Sequence, residues 1–160
     1  KYGQQAKEIF DDAQALLERI IKEKVFRPRA VYGLWPAHSE GDDIALLDHQ
    51  SGSLLHTFHF LRSQKMDNSK VINPCLSDFV APKESGVSDY FGGFVVTMGH
   101  EVEEFASTFE KKNDDYNSIM VKAIGDRLAE AYAEVLHLRV RQMWGIENKK
   151  LSLEELIKEK

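Results

Sequence analysis

The run that most constrains this chain lies near its C-terminal end, at residues 113–144, NDDYNSIMVKAIGDRLAEAYAEVLHLRVRQMW. It has no proline and reads as a single helix, far longer than the usual mean of about 11–12 residues. Asn113, Asp114 and Asp115 place capping oxygens and negative charge where the first-turn N–H groups point. Apolar side chains recur at Met120, Ile124, Leu128, Ala131, Val135 and Leu138, in steps of four and three that predict one face turned to a core. A second line, Ile119, Ala123, Asp126, Glu130, Ala133, His137 and Arg141, begins apolar and turns acidic. Two carboxylates one turn apart beside a buried stripe are the first candidates for chemistry.

The length, 160 residues, suits one domain able to bury its own core. With 42% hydrophobic and 29% charged residues, the composition is that of a soluble globular protein. Twenty-six acidic against 21 basic side chains give a formal charge of −5, which argues against nucleic acid or an anionic membrane as partner. Cys75 is the only cysteine, so no internal disulfide forms, and a cytoplasmic setting is expected. No apolar run of membrane-spanning length and no signal segment are present, so no membrane partner is expected either. The abrupt ends predict a piece of a longer polypeptide.

Residues 4–24 carry Ile9, Phe10, Ala13, Leu16, Leu17, Ile20 and Ile21 at helical spacing, with Arg27-Pro28-Arg29 expected to end the helix. Residues 30–37, AVYGLWPA, read as a strand in which Pro36 forces an edge or a bulge. A turn at 39–43 returns the chain into a strand at 44–47, and a turn at 50–53 leads to another at 54–60. A short helix is expected at 61–66, a polar exposed stretch at 67–70, and a buried extended segment at 74–82. After a loop at 83–88, FGGFVVTM at 91–98 resembles a central strand whose Gly92 and Gly93 permit a bulge or close backbone approach. Val102, Phe105, Ala106 and Phe109 mark a helix at 101–111, and Ser152 with Glu155 forms a capping box for a terminal helix. The expected class is α+β: a largely antiparallel sheet with flanking helices and one long helix near the C-terminus.

Several sites fail on chemistry. His100-Glu101 lacks the second histidine of a zinc-protease helix, because Glu104 stands one turn on. His56 and His59 have an odd separation in a strand, which sends them to opposite faces. Cys75 has no companion motif and reads as a buried inert thiol. Gly92-Gly93 is no phosphate loop, and Asp42 and Asp43 read as a solvated turn. No catalytic residue and no metal ligand is assigned. Asp126 and Glu130 keep two readings: a solvated face assisted by the Arg127–Glu130 spacing, or a carboxylate pair facing a cationic ligand or a partner's histidine. Ala123, Gly125, Ala129, Ala131 and Ala133 favour the second, since small side chains let another backbone or a flat ligand come close.

As a string of letters, residues 114–141 closely resemble the signature helix of the activation domain of cobalamin-dependent methionine synthase. The resemblance extends through LSDFVAP (76–82), SGVSDYFGGFVVT (85–97), RAVYGLWPA (29–37), the GDDI turn (41–44) and LSLEELIKEK at the end, so it spans nearly the whole chain in order. It implies a curved, largely antiparallel sheet with flanking helices, and a domain that binds S-adenosylmethionine to repair the enzyme. The donor's methyl group goes to the cobalt of an oxidised cob(II)alamin once a flavodoxin or related reductase supplies an electron. The implied partners are therefore a cobalamin-binding domain and that reductase, with cobalamin held by the partner and no metal bound directly. Asp126 and Glu130 match acidic positions of the signature helix, on the side expected to face ligand or the cobalamin domain, and Glu159 matches another acidic position.

The departures are equally specific. The family's main donor motif, an Arg-Pro-Ala-Pro-Gly-Tyr-Pro run, is expected a few residues beyond Glu159, and the chain stops at Lys160. A later tyrosine-containing segment and an aspartate-containing, tryptophan-rich segment before the first helix are missing as well. Residues 1–160 are thus expected to be one partial activation domain: part of a methyltransferase, inactive by itself and with weak or absent donor binding. The alternative is an accessory interaction domain that has lost donor binding and docks onto a cobalamin protein.

Overall fold

The computed structural model describes residues 2–65 and 73–145. The chain divides into two compact units, Lys1–Val31 with Val95–Lys160, and Tyr32–Phe94. The first unit holds three helices, α1 (Tyr2–Glu23), α2 (Glu101–Glu110) and α3 (Asp115–Met143). The second centres on a sheet built from β1 (Arg29–Glu40), β2 (Asp43–Leu47), β3 (Leu54–His59) and β4 (Asp89–Thr97). The class is α+β, as the sequence indicates.

The helical core joins Leu16 and Ile20 of α1, Phe26 after that helix, Met98 before α2, Phe105 and Ala106 of α2, and Met120 and Val121 of α3. Ala106 and Val121 are wholly buried. Each large apolar side chain so covered contributes about 1.5–3 kcal/mol relative to exposure. The helix α1 stops earlier than Pro28 would require. Lys24 turns left-handed at φ 51, and Val25 N–H donates to the Ile20 carbonyl at 3.0 Å, which closes the last turn four residues before the proline.

The buried side of α3 is rotated from the expected stripe. Ser118, Met120, Val121, Gly125 and Leu136 are buried, whereas Ala131 is exposed and Val135 is 43% exposed. The cause is α2. A Cβ on Gly125 would lie 2.9 Å from Cγ1 of Val102, so α2 approaches α3 at the one position without a side chain. Apolar periodicity cannot reveal this, because glycine carries no apolar surface yet marks the closest contact.

In the sheet the strand order is β3-β2-β1-β4. The β1–β2 pair is antiparallel from Ala37↔Leu46 to Glu40↔Asp43, closed by a two-residue loop of Gly41 and Asp42. Pro36 falls just before this register begins, so its missing N–H costs no bond to β2. The β2–β3 pair is antiparallel, with an irregularity at Leu46/Leu47. Strand β4 lies at an edge rather than at the centre. Gly92 serves β1: a Cβ there would meet Leu34 Cδ2 at 2.8 Å, whereas one on Gly93 would make only ordinary contact with the Trp35 ring at 3.9 Å. Gly92 thus leaves room for a bulky side chain of β1. Ala37, Ile44, Leu46 and Val80 form the core of this unit, with Trp35, Phe60 and Phe91 packed against it.

Two further expectations change. Residues 61–65 form no helix; Ser63 N–H donates to the Pro74 carbonyl at 2.9 Å, and Arg62 is drawn into ion pairs. Within 74–82, Leu76–Phe79 is a 3-10 turn, burying Cys75, Ser77 and Val80 while Leu76 and Phe79 are exposed. Arg62 clamps this turn, donating to both Asp78 oxygens at 2.8 and 2.9 Å and pairing with Asp42 at 2.8 Å. The 83–88 loop contains a second such turn, Lys83–Ser85. The terminal helix expected from Ser152, the 67–70 stretch and Met66 lie outside the described residues. No helix among the described residues is long and apolar enough to cross a membrane.

The α2–α3 contact is directly testable. Gly125→Val is expected to lower the unfolding free energy by about 2 kcal/mol or more, because overpacking against a β-branched neighbour outweighs the gain in helix propensity. Urea unfolding followed by circular dichroism measures it, with exposed Glu104→Val as the control.

Candidate functional site

The site is built on α3, whose start is fixed by its own capping groups. Asp114 accepts from the Asn117 N–H at 3.1 Å and from the Asn117 side-chain amide at 2.8 Å. These bonds, the side-chain one foremost, hold the Asp114 carboxyl below its ordinary pKa. One turn on, Ser118 donates to Glu110 at 2.8 Å, and Lys122 reaches the same carboxylate at 3.1 Å and Glu103 at 3.4 Å. The serine hydrogen bond, then the lysine, keep the Glu110 carboxyl low, while bonding to Glu110 raises the Lys122 ammonium. This network locks the register of α3 against α2.

Asp126 and Glu130 follow on the outward side. Both are exposed, one turn apart, with exposed Ala123 and His137 on the same line. Glu130 accepts from Arg127 at 2.9 Å, an exposed pair three residues apart that contributes little to stability. Among the described residues Asp126 has no ion-pair partner, although its neighbours Lys122 and Arg127 both do. Glu159 lies outside the described residues. The structure therefore brings two of the three acidic candidates onto one face. The close approach expected from the small residues is made, at Gly125, by α2.

Other groups resolve into local roles. His59 Nδ1 pairs with Asp43 at 2.9 Å, and His56 packs edge-on to Phe58 with ring centroids 4.8 Å apart, so the two histidines have separate partners. Asp42 is ion-paired to Arg62, and Asp43 lies 2.9 Å from the His59 ring nitrogen, so neither is merely solvated. Cys75 is buried and free, its thiol facing the Asp42 carbonyl at 3.7 Å. Among the described residues no group of three or more His, Cys, Asp or Glu side chains is arranged around a metal position.

Two features escaped the sequence reading. In the sheet unit a hollow of about 360 Å³ is lined by His38, Glu40, Asp43, Thr57 and Lys83 over Ala45, Leu47 and Leu54. Its central Glu40 is already engaged by Lys83 at 2.7 Å and His38 at 2.9 Å, which hold the carboxyl low, the lysine bond most strongly. Alternation along β1 and β2 places these side chains on one face, but Lys83 arrives from a distant loop that no spacing announces. In the helical unit a hollow of about 450 Å³ runs between α1 and α3, walled by Ile9, Ala13, Leu17, Ile119, Ala123 and Leu128 among others. Its signal was present: α1 carries more apolar positions than one buried face uses.

The arrangement defines a class: an α+β module that displays a carboxylate-bearing helix, with no nucleophile–base pair and no metal centre among the described residues. The chain belongs to the family described as the activation domain of vitamin B12-dependent methionine synthase, whose profile matches residues 1–160. It is similar to a solved structure of the MetH reactivation domain bound to AdoHcy, 49% identical over 98% of this chain, with a TM-score of 0.88. This chain spans 49% of that chain's length.

The capping geometry carries a pH dependence. Because the Asp114 pKa is depressed by folding, its contribution is complete above the ordinary carboxylate range, at about pH 4, and is lost as pH falls through the folded value. Asp114→Ala is expected to lower the thermal midpoint at pH 7, with the difference from wild type shrinking steadily below pH 4.

Proposed function

We propose that this chain forms part of a reductive reactivation module of cobalamin-dependent methionine synthase, presenting S-adenosylmethionine for remethylation of cob(II)alamin in the cytoplasm. The observation that carries this reading is the 49% identity and 0.88 TM-score to a reactivation domain bound to AdoHcy, the demethylated form of that donor. Asp126 and Glu130, with Glu159, are the residues assigned to face the donor or the cobalamin-bearing partner. The partner is the cobalamin-binding domain of the same enzyme, and a flavodoxin or related reductase supplies the electron.

The chemistry of the two placed carboxylates fits a sulfonium donor. The donor, when bound, supplies an electrophilic methyl group beside a positive sulfur. Carboxylates on the outward line of α3 attract that charge and lose the attraction when the neutral thioether forms, which favours exchange of spent donor for fresh. Asp126, without an ion-pair partner among the described residues, meets an incoming cation without first breaking a pair. Glu130 must share its charge with Arg127. Holding the donor is their whole contribution; the chain's role is to orient it toward a cobalt carried elsewhere.

In the parent enzyme, Asp126→Ala and Glu130→Ala are each expected to raise the dissociation constant for S-adenosylmethionine about fivefold, equivalent to about 1 kcal/mol, and to slow reactivation at subsaturating donor. Unchanged affinity and unchanged reactivation in both variants would return the pair to a solvated face. For the 160-residue chain alone, calorimetric titration is expected to show binding at least about tenfold weaker than in the parent, because one wall cannot exclude water from the sulfonium. Tight stoichiometric binding by the isolated chain would contradict this.

A further inference from the structure

Arg127 flanks the acidic line of α3 and pairs with Glu130 at 2.9 Å, a choice that helix geometry explains. At 3.6 residues per turn Arg127 stands about 60° round the helix from Glu130 and about 100° from Asp126. It therefore reaches the first carboxylate more readily than the second. The stem of Arg127 helps wall the hollow between α1 and α3, where none of the other lining side chains is acidic. A guanidinium finds no counter-charge on that wall, so the stem crosses it and the head turns outward to Glu130. Both side chains are largely open to water, at 77% and 65% exposure, so the pair forms and breaks without burying or uncovering charge.

We propose, resting on the donor-presenting function above, that this pair is an autoinhibitory contact: Arg127 neutralises Glu130 from within the helix and must release it before a sulfonium donor takes its place. Exposed pairs at this spacing favour the closed form by about two to one. Glu130 is then open about one-third of the time, and its apparent affinity for a visiting cation is about threefold below that of an uncontested carboxylate. The two carboxylates are thus unequal. Asp126 attracts the donor's charge at all times, whereas Glu130 does so only while Arg127 is turned to solvent. A neutral thioether carries no charge with which to displace a guanidinium, so Arg127 recloses on Glu130 once the methyl group has left. The contact opposes the cationic donor and is indifferent to the neutral product.

A double-mutant cycle in the parent enzyme tests it, by equilibrium titration with S-adenosylmethionine and with AdoHcy, without reductant so that no methyl group is transferred. Arg127→Gln is expected to lower the dissociation constant for S-adenosylmethionine about threefold and to leave that for AdoHcy unchanged. Arg127→Lys, which keeps a cation three residues from Glu130, is expected to retain the wild-type value for both. In the Glu130→Ala background Arg127→Gln is expected to change neither constant, so that the cost of Glu130→Ala rises from about fivefold to about fifteenfold when Arg127 is replaced. An equal gain with and without Glu130 would overturn the proposal, because the arginine would then act through overall charge and not through the contact. Wild-type donor affinity in Arg127→Gln beside weakened binding in Glu130→Ala would also overturn it, while leaving the role of Glu130 standing. Unchanged donor affinity in Glu130→Ala would remove that role and the contact together.

Discussion

The contact on which the helical unit depends is the close approach of α2 to α3 at Gly125, where Val102 occupies the space a side chain would fill. It determines which side of the long helix faces inward. Val121 and Ala106 are sealed there completely, and the apolar line through Ala131 and Val135 is turned away from the core. The same rotation leaves Asp126 and Glu130 on the outward line while the α1 side keeps its open hollow. Packing at one glycine thus sets which lines of α3 stay open to solvent. A salt network on the α2 side, Lys122 with Glu103 and Glu110, then holds the helix against rotation.

Much of this was legible in the residues and some was not, for physical reasons. The existence of α1, α2 and α3 followed from periodicity and capping groups, and Asp114 does cap α3. The hairpins followed from turn chemistry, with β1 extending to Glu40 because the strand continues to the two-residue loop. The expected helix at 61–66 and the central placing of β4 failed because each depends on distant partners. Arg62 is recruited by Asp42 and Asp78, and strand order is a tertiary property that an apolar run with glycines does not encode. At the candidate site, the pairing of Asp126 and Glu130 on one face needed only the four-residue spacing. Whether that face looks inward or outward depended on Val102, which lies in another helix.

Electrostatics separates structural from available charge. Glu110, Asp114, Asp78 and Glu40 are each held low by named hydrogen bonds, so their charge is already committed to the fold. Arg62 is committed likewise, its donors shared between Asp42 and the two oxygens of Asp78. Against this background, Asp126, like Asp115 at the start of the same helix, is exposed and has no ion-pair partner among the described residues. Asp126 lies outside the helical core, and on the function proposed above it would meet a bound cation without giving up an existing pair.

How strongly it acts depends on what stands opposite. A carboxylate and a cation 4 Å apart gain only about 1 kcal/mol across bulk water, and about 4 kcal/mol at the effective dielectric of a protein surface cleft. The outward line of α3 alone offers the first condition. A second wall that displaces water supplies the other, without any change in Asp126 or Glu130. On the function proposed above, affinity for a sulfonium donor would be a property of two facing surfaces, with α3 contributing the charge and an opposite wall the medium in which that charge counts.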